Sequence, residues 1–396
     1  MHFTVFSGPV QRPKIRIPLV IWPVHDISPS ICLSFGIILS SQNITIMNTT
    51  LNFSKKLLSV ISLVISMGMG LSSLKAQNNA AGEKYTENTT VRSAFQNTKK
   101  IRAGLLDVGY AEIGPESGKA VILLHGWPYD IHSFEESSAL LAEKGYRVLV
   151  PYLRGYGTTT FVSANTKRNG QQSAVALDII AFMDALKIDK AIIGGFDWGA
   201  RTADIMAALW PERCTGLVAV SGYLIGSPKA NEKPLAPNAE FLWWYQYYFS
   251  TERGYKGYKA NTETFNKLIW KTASPKWAFD DQTYERSAAA FNNPDHVDIV
   301  IHNYRWRLGL AKGEKKYDVL EAQLAKSPSI TVPTVTLEGD VNGAAFPAPE
   351  SYAARFTGKY AHHTVTGGIG HNLPQEAPKA FADAIIEVDS MSQATN

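Results

Sequence analysis

The segment Gly195-Phe196-Asp197-Trp198-Gly199 constrains the fold of this 396-residue chain more than any other part of the sequence. An apolar run, Ala191 to Ile193, leads into the segment, and a helix-forming run, Ala200 to Leu209, follows it. A strand, a sharp turn framed by glycines and a helix together make a nucleophile elbow, which holds its central residue in a strained backbone conformation. The sequence therefore predicts that Asp197 is presented as a nucleophile at the end of a buried strand.

The identity of the central residue selects the chemistry. A serine in this place would attack acyl carbons, whereas a carboxylate displaces a leaving group at an sp3 carbon and becomes esterified itself. Asp197 therefore excludes the serine esterase, lipase and serine protease classes. A solvated acid at the start of a helix is the alternative role, but the glycine frame and the preceding apolar strand favour the nucleophile.

A carboxylate ester needs a base that activates water, and histidine is the side chain suited to that task near neutral pH. His371 lies in a glycine-rich loop, Gly367 to Pro374, between the last predicted strand and the last predicted helix. Such a loop lies at the carboxyl ends of the strands, where the reaction must occur. We therefore predict that His371 is the base, whereas His362 and His363 stand beside or within a strand and are expected to be structural.

The loop after the predicted strand Val335 to Leu337 supplies the acid expected to orient His371. Asp340 is the natural choice in this loop, and a turn aspartate with satisfied hydrogen bonds is the alternative. A second loop, His125 to Pro128, directly follows another predicted strand, as an oxyanion-hole loop does. The backbone N–H groups of Trp127 and Trp198 are expected to stabilise the tetrahedral intermediate, and His125 is expected to brace the loop.

The rest of the mature chain alternates apolar runs with helix-like segments, which is typical of a parallel sheet with crossover helices. This rhythm stops over residues 223–326, which are rich in Trp and Tyr, have helical periodicity and lack clear strands. The sequence thus predicts an α/β core over residues 94–222 and 327–396, interrupted by a helical insertion.

The N-terminal part has the pattern of a secretory leader. A positive pair, Lys55 and Lys56, precedes an uncharged and mostly apolar run, Leu57 to Leu74, and a small residue, Ala76. Residues 47–76 are therefore predicted to be a signal peptide, with an uncleaved anchor as the alternative, residues 1–46 are unassigned, and residues 77–93 are predicted to be a disordered linker. The mature protein is expected to be exported, periplasmic or secreted, without stable membrane association.

The basic residues are unevenly distributed along the chain. The first 76 residues hold six of the 39 Lys and Arg residues and one of the 35 acids, which leaves 33 basic and 34 acidic residues for the remainder. The mature part carries no excess of positive charge, so nucleic acid is not an expected partner.

From about Ala94 to its C-terminus, the chain resembles the α/β-hydrolase superfamily, and within it the epoxide hydrolases. The elbow, the His125 and His371 loops and the turn of residues 153–157 carry this resemblance. In the helical insertion, the segments of residues 244–249 and 302–305 are similar to those that bear two lid tyrosines in the epoxide hydrolases. The resemblance implies an α/β-hydrolase fold with a helical lid, and it implies that Tyr245 and Tyr304 donate to the epoxide oxygen as the ring opens.

Three positions depart from the family's pattern. Tyr152 replaces an aspartate that commonly precedes the Leu-Arg-Gly turn. The family's acid often stands where this chain has Asn342, which makes Asp340 a shifted substitute. Arg201 is similar in position to a carboxylate-binding arginine of fluoroacetate dehalogenases, but those enzymes also have an arginine where this chain has Trp198. We therefore expect Arg201 to be a structural helix residue.

The resulting hypothesis is a two-step hydrolase. Asp197 opens a small apolar epoxide, and water activated by His371 then releases a diol, with no metal or organic cofactor required. One alternative is a haloalkane or haloacid dehalogenase, in which the indoles of Trp127 and Trp198 bind the halide. Another is a non-catalytic protein that binds small molecules in the lid pocket. Fold alone does not separate these hypotheses.

Overall fold

The computed structural model describes residues 89–393. All six strands predicted from apolar runs lie side by side in it: residues 121–124, 147–150, 191–193, 217–220, 335–337 and 363–365. They belong to a nine-stranded sheet with the order β1-β2-β4-β3-β6-β7-β8-β9, in which β5 pairs with β2. The strands are β1 (Lys99–Ala103), β2 (Leu106–Ile113), β3 (Ala120–Leu124), β4 (Arg147–Pro151), β5 (Thr160–Phe161), β6 (Ala191–Gly195), β7 (Cys214–Val220), β8 (Thr334–Gly339) and β9 (Tyr360–Val365).

The sheet is parallel from β4 to β9 and antiparallel at its other edge, where β2 pairs with β1, β4 and β5. The central strands read as continuous apolar runs because helices cover both faces of a parallel sheet. Every residue of β6 is buried, and so is β3 from Val121 to Leu124. The carboxyl ends of the central strands therefore sit at one edge of a rigid, closely packed layer.

Helices connect the strands and build the region between β7 and β8. The helices are α1 (Thr89–Gln96), α2 (Glu135–Glu143), α3 (Gln172–Ala185), α4 (Trp198–Leu209), α5 (Pro237–Leu242), α6 (Trp244–Ser250), α7 (Glu252–Ala260), α8 (Thr262–Ala273), α9 (Asp281–Ala288), α10 (His296–Arg307), α11 (Asp318–Leu324), α12 (Pro349–Tyr352), α13 (Leu373–Glu376) and α14 (Pro378–Gln393).

The predicted helical insertion has the expected character. Helices α5 to α11 lie between β7 and β8, and within residues 223–326 the structure has no strand. Aromatic rings pack this region, as the density of Trp and Tyr suggested. Phe249, for example, contacts the rings of Trp127, Tyr258, Phe265 and Tyr304. We call residues 223–326 the lid.

Only part of the predicted N-terminal organisation falls within the described residues. The predicted leader over residues 47–76 and the unassigned residues 1–46 lie outside the described residues. The linker predicted over residues 77–93 is wrong at its end, because α1 begins at Thr89 and buries Val91 and Phe95 against the core. Within residues 89–393, no helix is both long and apolar enough to cross a membrane.

Candidate active site

The elbow between β6 and α4 holds Asp197 in a backbone conformation that only close packing can enforce. Its φ of 53° and ψ of −121° lie in a region that side-chain-bearing residues rarely adopt. A Cβ on Gly195 would lie 2.5 Å from the carbonyl carbon of Gly199, and a Cβ on Gly199 would overlap the carbonyl oxygen of Leu124. Both framing glycines are therefore required by space, and the predicted elbow is confirmed as a local structure.

The loop after β3 touches the Asp197 carboxylate directly. The backbone N–H of Trp127 donates to Oδ1 of Asp197 at 2.8 Å. A Cβ on Gly126 would overlap the Asp197 side chain, so glycine is also required there. Trp198 is the first residue of α4, and the first N–H groups of a helix have no hydrogen-bond partner within the helix. Both amides predicted for the oxyanion hole thus border the nucleophile.

His125 has the bracing role expected from the sequence. Its ring is fully buried, and its Nε2 accepts a hydrogen bond from the backbone N–H of Leu153 at 3.1 Å. Its Nδ1 lies 3.1 Å from the carbonyl oxygen of Gly126. Burial lowers the pKa of His125 to about 4, so this ring stays neutral and ties the loop after β3 to the turn after β4.

His371 lies opposite Asp197. Its Nε2 is 3.6 Å from Oδ2 of Asp197, and 8% of the residue is exposed. Its backbone N–H donates to the hydroxyl of Ser274, at the end of α8, at 3.0 Å. Burial opposes ionisation of Asp197, but the nearby His371 imidazole, the positive charge of Arg201 and the hydrogen bond from the Trp127 amide outweigh it, so the pKa of Asp197 lies below its ordinary value. The carboxylate is accordingly ionised at neutral pH.

Asp340 does not occupy the place predicted for it. Desolvation acts to raise the pKa of Asp340, but its exposed carboxylate accepts hydrogen bonds from the backbone N–H groups of Gly367, Gly368 and Ile369, which together lower the pKa below its ordinary value. The atom beside Nδ1 of His371 is instead Oδ1 of Asn342, at 3.2 Å. Asp340 thus holds the loop that carries His371, and Asn342 orients the ring.

A buried carboxylate stands behind Asn342. The Asn342 Nδ2 group donates to Oε1 of Glu338 at 2.8 Å, and its Oδ1 also accepts from the N–H of Ala344 at 2.9 Å. These two contacts fix the amide so that its oxygen faces His371. Burial raises the pKa of Glu338, although the Asn342 hydrogen bond and the charge of His371 oppose this. Sequence reasoning missed Glu338, which reads as the end of a strand.

Tyr245 on α6 and Tyr304 on α10 meet above the nucleophile. Their ring centroids are 5.4 Å apart, and each ring also packs on the indole of Trp127, at 4.9 Å and 5.2 Å. Burial raises the pKa of both phenols, and the negative charge of Asp197 acts in the same direction. Both hydroxyl groups are therefore protonated and able to donate.

Several of these side chains line one cavity. It measures about 770 Å³ including the space at its mouth that is open to solvent, and its wall includes the side chains of Trp127 and Trp243. Six of its wall residues are titratable: Asp197, Arg201, Tyr245, Tyr304, Arg307 and His371. Sequence reasoning did not single out Arg307, although it lies three residues after the second lid tyrosine, one helical turn away.

A solved structure of a protein provisionally named epoxide hydrolase, from Klebsiella pneumoniae, is 60% identical to this chain. The similarity covers 75% of this chain and 99% of that one, with a TM-score of 0.75. The chain belongs to the α/β-hydrolase family. The sequence model described as the α/β hydrolase fold matches residues 119–262, which include the elbow and the first part of the lid.

Two further comparisons extend the similarity of this α/β-hydrolase to known proteins. Epoxide hydrolase B of Mycobacterium tuberculosis is 32% identical over 151 residues, which are 35% of this chain and 42% of that protein. The chain therefore spans less than half the length of this curated relative. A similarly named Pseudomonas aeruginosa structure, 20% identical with a TM-score of 0.63 over 75% of this chain and 96% of that one, supports the fold alone.

Proposed function

We propose that this α/β-hydrolase converts an epoxide into a diol through an ester on Asp197. In the first step, a carboxylate oxygen of Asp197 attacks a ring carbon from the back, the C–O bond of the ring breaks, and Tyr245 and Tyr304 donate to the departing oxygen. In the second step, water activated by His371 adds to the ester carbonyl, and the diol leaves.

The pair of lid tyrosines carries this proposal. An alkoxide that leaves an epoxide ring needs a proton, and the partly buried phenol of Tyr245 and the buried phenol of Tyr304 lie in the same cavity as Asp197. Because burial keeps both phenols protonated, each has a hydrogen to give when charge develops on the oxygen. In a reaction that needs no proton donor, this pair of tyrosines would have no chemical role.

The second step is supported by the surroundings of His371. The Asn342 oxygen can only accept a hydrogen bond, so Nδ1 of His371 carries the hydrogen between them. The neutral ring then has its lone pair on Nε2, which faces Asp197. The N–H of Trp127 already contacts Oδ1 of Asp197, so it is available to stabilise an oxyanion formed on the ester carbonyl.

The dehalogenase alternative has weaker support. It requires the indole N–H groups of Trp127 and Trp198 to face a halide. The Trp127 indole instead donates to the hydroxyl of Tyr258 at 2.9 Å. Trp198 Nε1 has no partner among the described residues, but a single indole donor is half of the expected halide site.

We also propose that the mature protein acts outside the cytoplasm, on the leader pattern of residues 47–76. N-terminal sequencing of protein from the native host should find a start near Gln77. A start at Met1 or Met47 on cytoplasmic protein would overturn this proposal.

Single-turnover experiments with styrene oxide would test the mechanism. In Tyr245→Phe and Tyr304→Phe, ring opening should slow by about 10²- to 10³-fold each, which is the typical cost of one lost donor in such a site. Tyr247→Phe is a matched control, because Tyr247 lies on the same helix α6 but is exposed and contacts Glu240. Wild-type ring opening by the double Phe variant would reduce both tyrosines to packing residues.

The ester itself can be trapped. His371→Gln should still be alkylated but should not hydrolyse the product, so intact-protein mass spectrometry should find one substrate mass added at Asp197. Adding Asp197→Asn to this variant should abolish the adduct. An adduct on another residue, or turnover without an adduct, would contradict the covalent mechanism.

A further inference from the structure

Two arginines line the cavity without a structural partner. Arg201 lies in α4, one turn after the nucleophile, and only 8% of it is exposed. Arg307 is the last residue of α10 and is partly exposed. Within residues 89–393, neither guanidinium has a hydrogen bond or an ion pair, and the groups near them are aromatic rings. Arg201 Cζ is 6.0 Å from the Trp198 ring, and Arg307 Cζ is 5.5 Å from that of Trp243.

Arg154 shows what a structural arginine looks like in this protein. It is also buried, but its guanidinium makes two hydrogen bonds to the Asp178 carboxylate, at 2.6 and 2.7 Å. Its remaining N–H groups donate to the carbonyl oxygens of Asn169 and Ala174. Arg201 has the same burial and none of these partners, so its expected role as a structural helix residue does not fit its surroundings.

The nearby carboxyl groups do not neutralise the pair. Asp197 attracts Arg201, but it is the nucleophile, and its oxygens face Trp127 and His371. Burial raises the pKa of Asp204 far above its ordinary value, which favours its neutral form. Burial also raises the pKa of Glu321, and this group accepts hydrogen bonds from Ser173 and Gln172 on another helix.

The two positive charges also act on each other. Burial and, after it, the charge of Arg307 lower the pKa of Arg201 to about 10, so both guanidinium groups remain charged at neutral pH. A buried charge is costly unless an opposite charge pairs with it. A fold that keeps one buried and one partly exposed guanidinium group at the same cavity wall is stabilised when an anion enters, and the planar guanidinium matches a carboxylate.

We propose that the cavity accepts a short-chain epoxide that bears a carboxylate, and that Arg201 and Arg307 bind this carboxylate while Asp197 attacks the ring. The proposal rests on the proposed function and replaces the apolar substrate expected from the sequence. The overall reaction adds one water to an epoxy acid and yields a dihydroxy acid, with no oxidant or reductant. The ring oxygen takes its proton from a lid tyrosine. The added water supplies two protons: His371 passes one to the alcohol oxygen as the ester C–O bond breaks, and the other restores the tyrosine, so that Asp197 is a carboxylate again.

A matched substrate pair tests this specificity. The full-length protein would be assayed with 3-methyloxirane-2-carboxylate and with the neutral 3-methyloxirane-2-carboxamide, which has nearly the same shape. We expect kcat/KM to favour the acid by about 10²-fold. Arg201→Met and Arg307→Met should each reduce this preference by about 10- to 100-fold, which is the factor expected for the loss of a hydrogen bond to a charged group. Arg307→Lys should restore part of it.

Arg305→Met is the control on the same helix. Arg305 donates to the carbonyl oxygens of Phe249 and Thr251 and pairs with Glu252, so its loss should lower the thermal midpoint but leave the preference for the acid unchanged. Arg307→Met removes an unpaired charge and should not lower the midpoint. A loss of preference in Arg305→Met equal to that in Arg307→Met would overturn the assignment.

A binding experiment separates this proposal from the proposed function. Butanoate should raise the thermal midpoint of the wild type, butanamide should not, and Arg307→Met should lose the response to butanoate. If neutral epoxides are opened as fast as the acid and butanoate has no effect, the carboxylate assignment fails while the epoxide hydrolase proposal stands. If butanoate binds through the arginines but neither epoxide is opened, the epoxide hydrolase proposal fails and the substrate assignment fails with it, leaving only an anion site.

Discussion

The two halves of the cavity are built in different ways. On the core side, backbone geometry positions the reacting groups: Asp197 by the elbow, and the Trp127 amide by a loop that passes against it. On the lid side, Tyr245 and Tyr304 are positioned by aromatic rings that pack on one another. Steric exclusion tolerates almost no change, whereas ring packing tolerates several arrangements. The chemistry is therefore held more tightly than the choice of substrate.

The strongest test of this difference substitutes glycines on each side. Gly199→Ala places a Cβ on the carbonyl oxygen of Leu124, so the elbow cannot keep its form. We expect the free energy of unfolding to fall by about 4 kcal/mol or more, which is the range of a clash in a core. Chemical denaturation would measure it. Gly226→Ala, near the start of the lid, meets nothing within 4 Å and should change the value by less than about 0.5 kcal/mol. Similar losses in both variants would remove the contrast.

A smaller effect is expected where the core side depends on a side chain. Asn342→Ala removes the acceptor beside Nδ1 of His371, so hydrolysis of the ester should slow by about 10-fold or more, since one hydrogen bond is lost. Asp340→Asn keeps an oxygen for the N–H groups of Gly367 to Ile369 and should slow hydrolysis much less. Single-turnover decay of the ester would measure both, and the reverse order would restore Asp340 as the partner of His371.

The smallest effect concerns Trp127, which belongs to both halves. Its amide contacts Asp197, and its indole donates to Tyr258, which also contacts Nε2 of the buried His296 at 2.9 Å. Tyr258→Phe removes this acceptor and should cost about 1 kcal/mol of stability, with ring opening nearly unchanged. Thermal unfolding and the alkylation rate would check this. A large loss of ring opening would mean that the lid network positions the nucleophile as well.

The sequence predicted best the parts that follow from backbone requirements. The elbow, the His371 loop and the six parallel strands depend on glycine positions and on apolar runs that only a buried sheet explains. The antiparallel edge was missed because β1, with the sequence Lys-Lys-Ile-Arg-Ala, is short and largely exposed. The next strand, β2, begins three residues after β1 ends, so the sequence pattern does not separate the two strands.

Side-chain directions in loops were harder to predict. Asp340 and Asn342 lie in one loop, and their spacing gives no sign of which one turns toward His371. In the structure, the roles of these two residues differ because the backbone N–H groups of residues 367–369 donate hydrogen bonds to the Asp340 carboxylate. The surroundings of Arg201 were hard to predict for a related reason: a helix position does not reveal whether a partner such as the one of Arg154 is within reach.

The attachment of the lid has a consequence for exchange between relatives. The lid leaves the sheet after β7 and returns at β8, and these strands are hydrogen-bonded neighbours, with Val218 paired to Val335. Its two ends meet where the Tyr223 hydroxyl donates to the carbonyl oxygen of Pro328 at 2.8 Å, as the ends of an inserted cassette do. A different helical segment could be grafted between the same two strands without breaking the sheet. Such a transplant would carry Tyr245, Tyr304 and Arg307 away together and leave Asp197, Arg201 and His371 behind, so the proposed proton donors could be inherited separately from the proposed nucleophile and base.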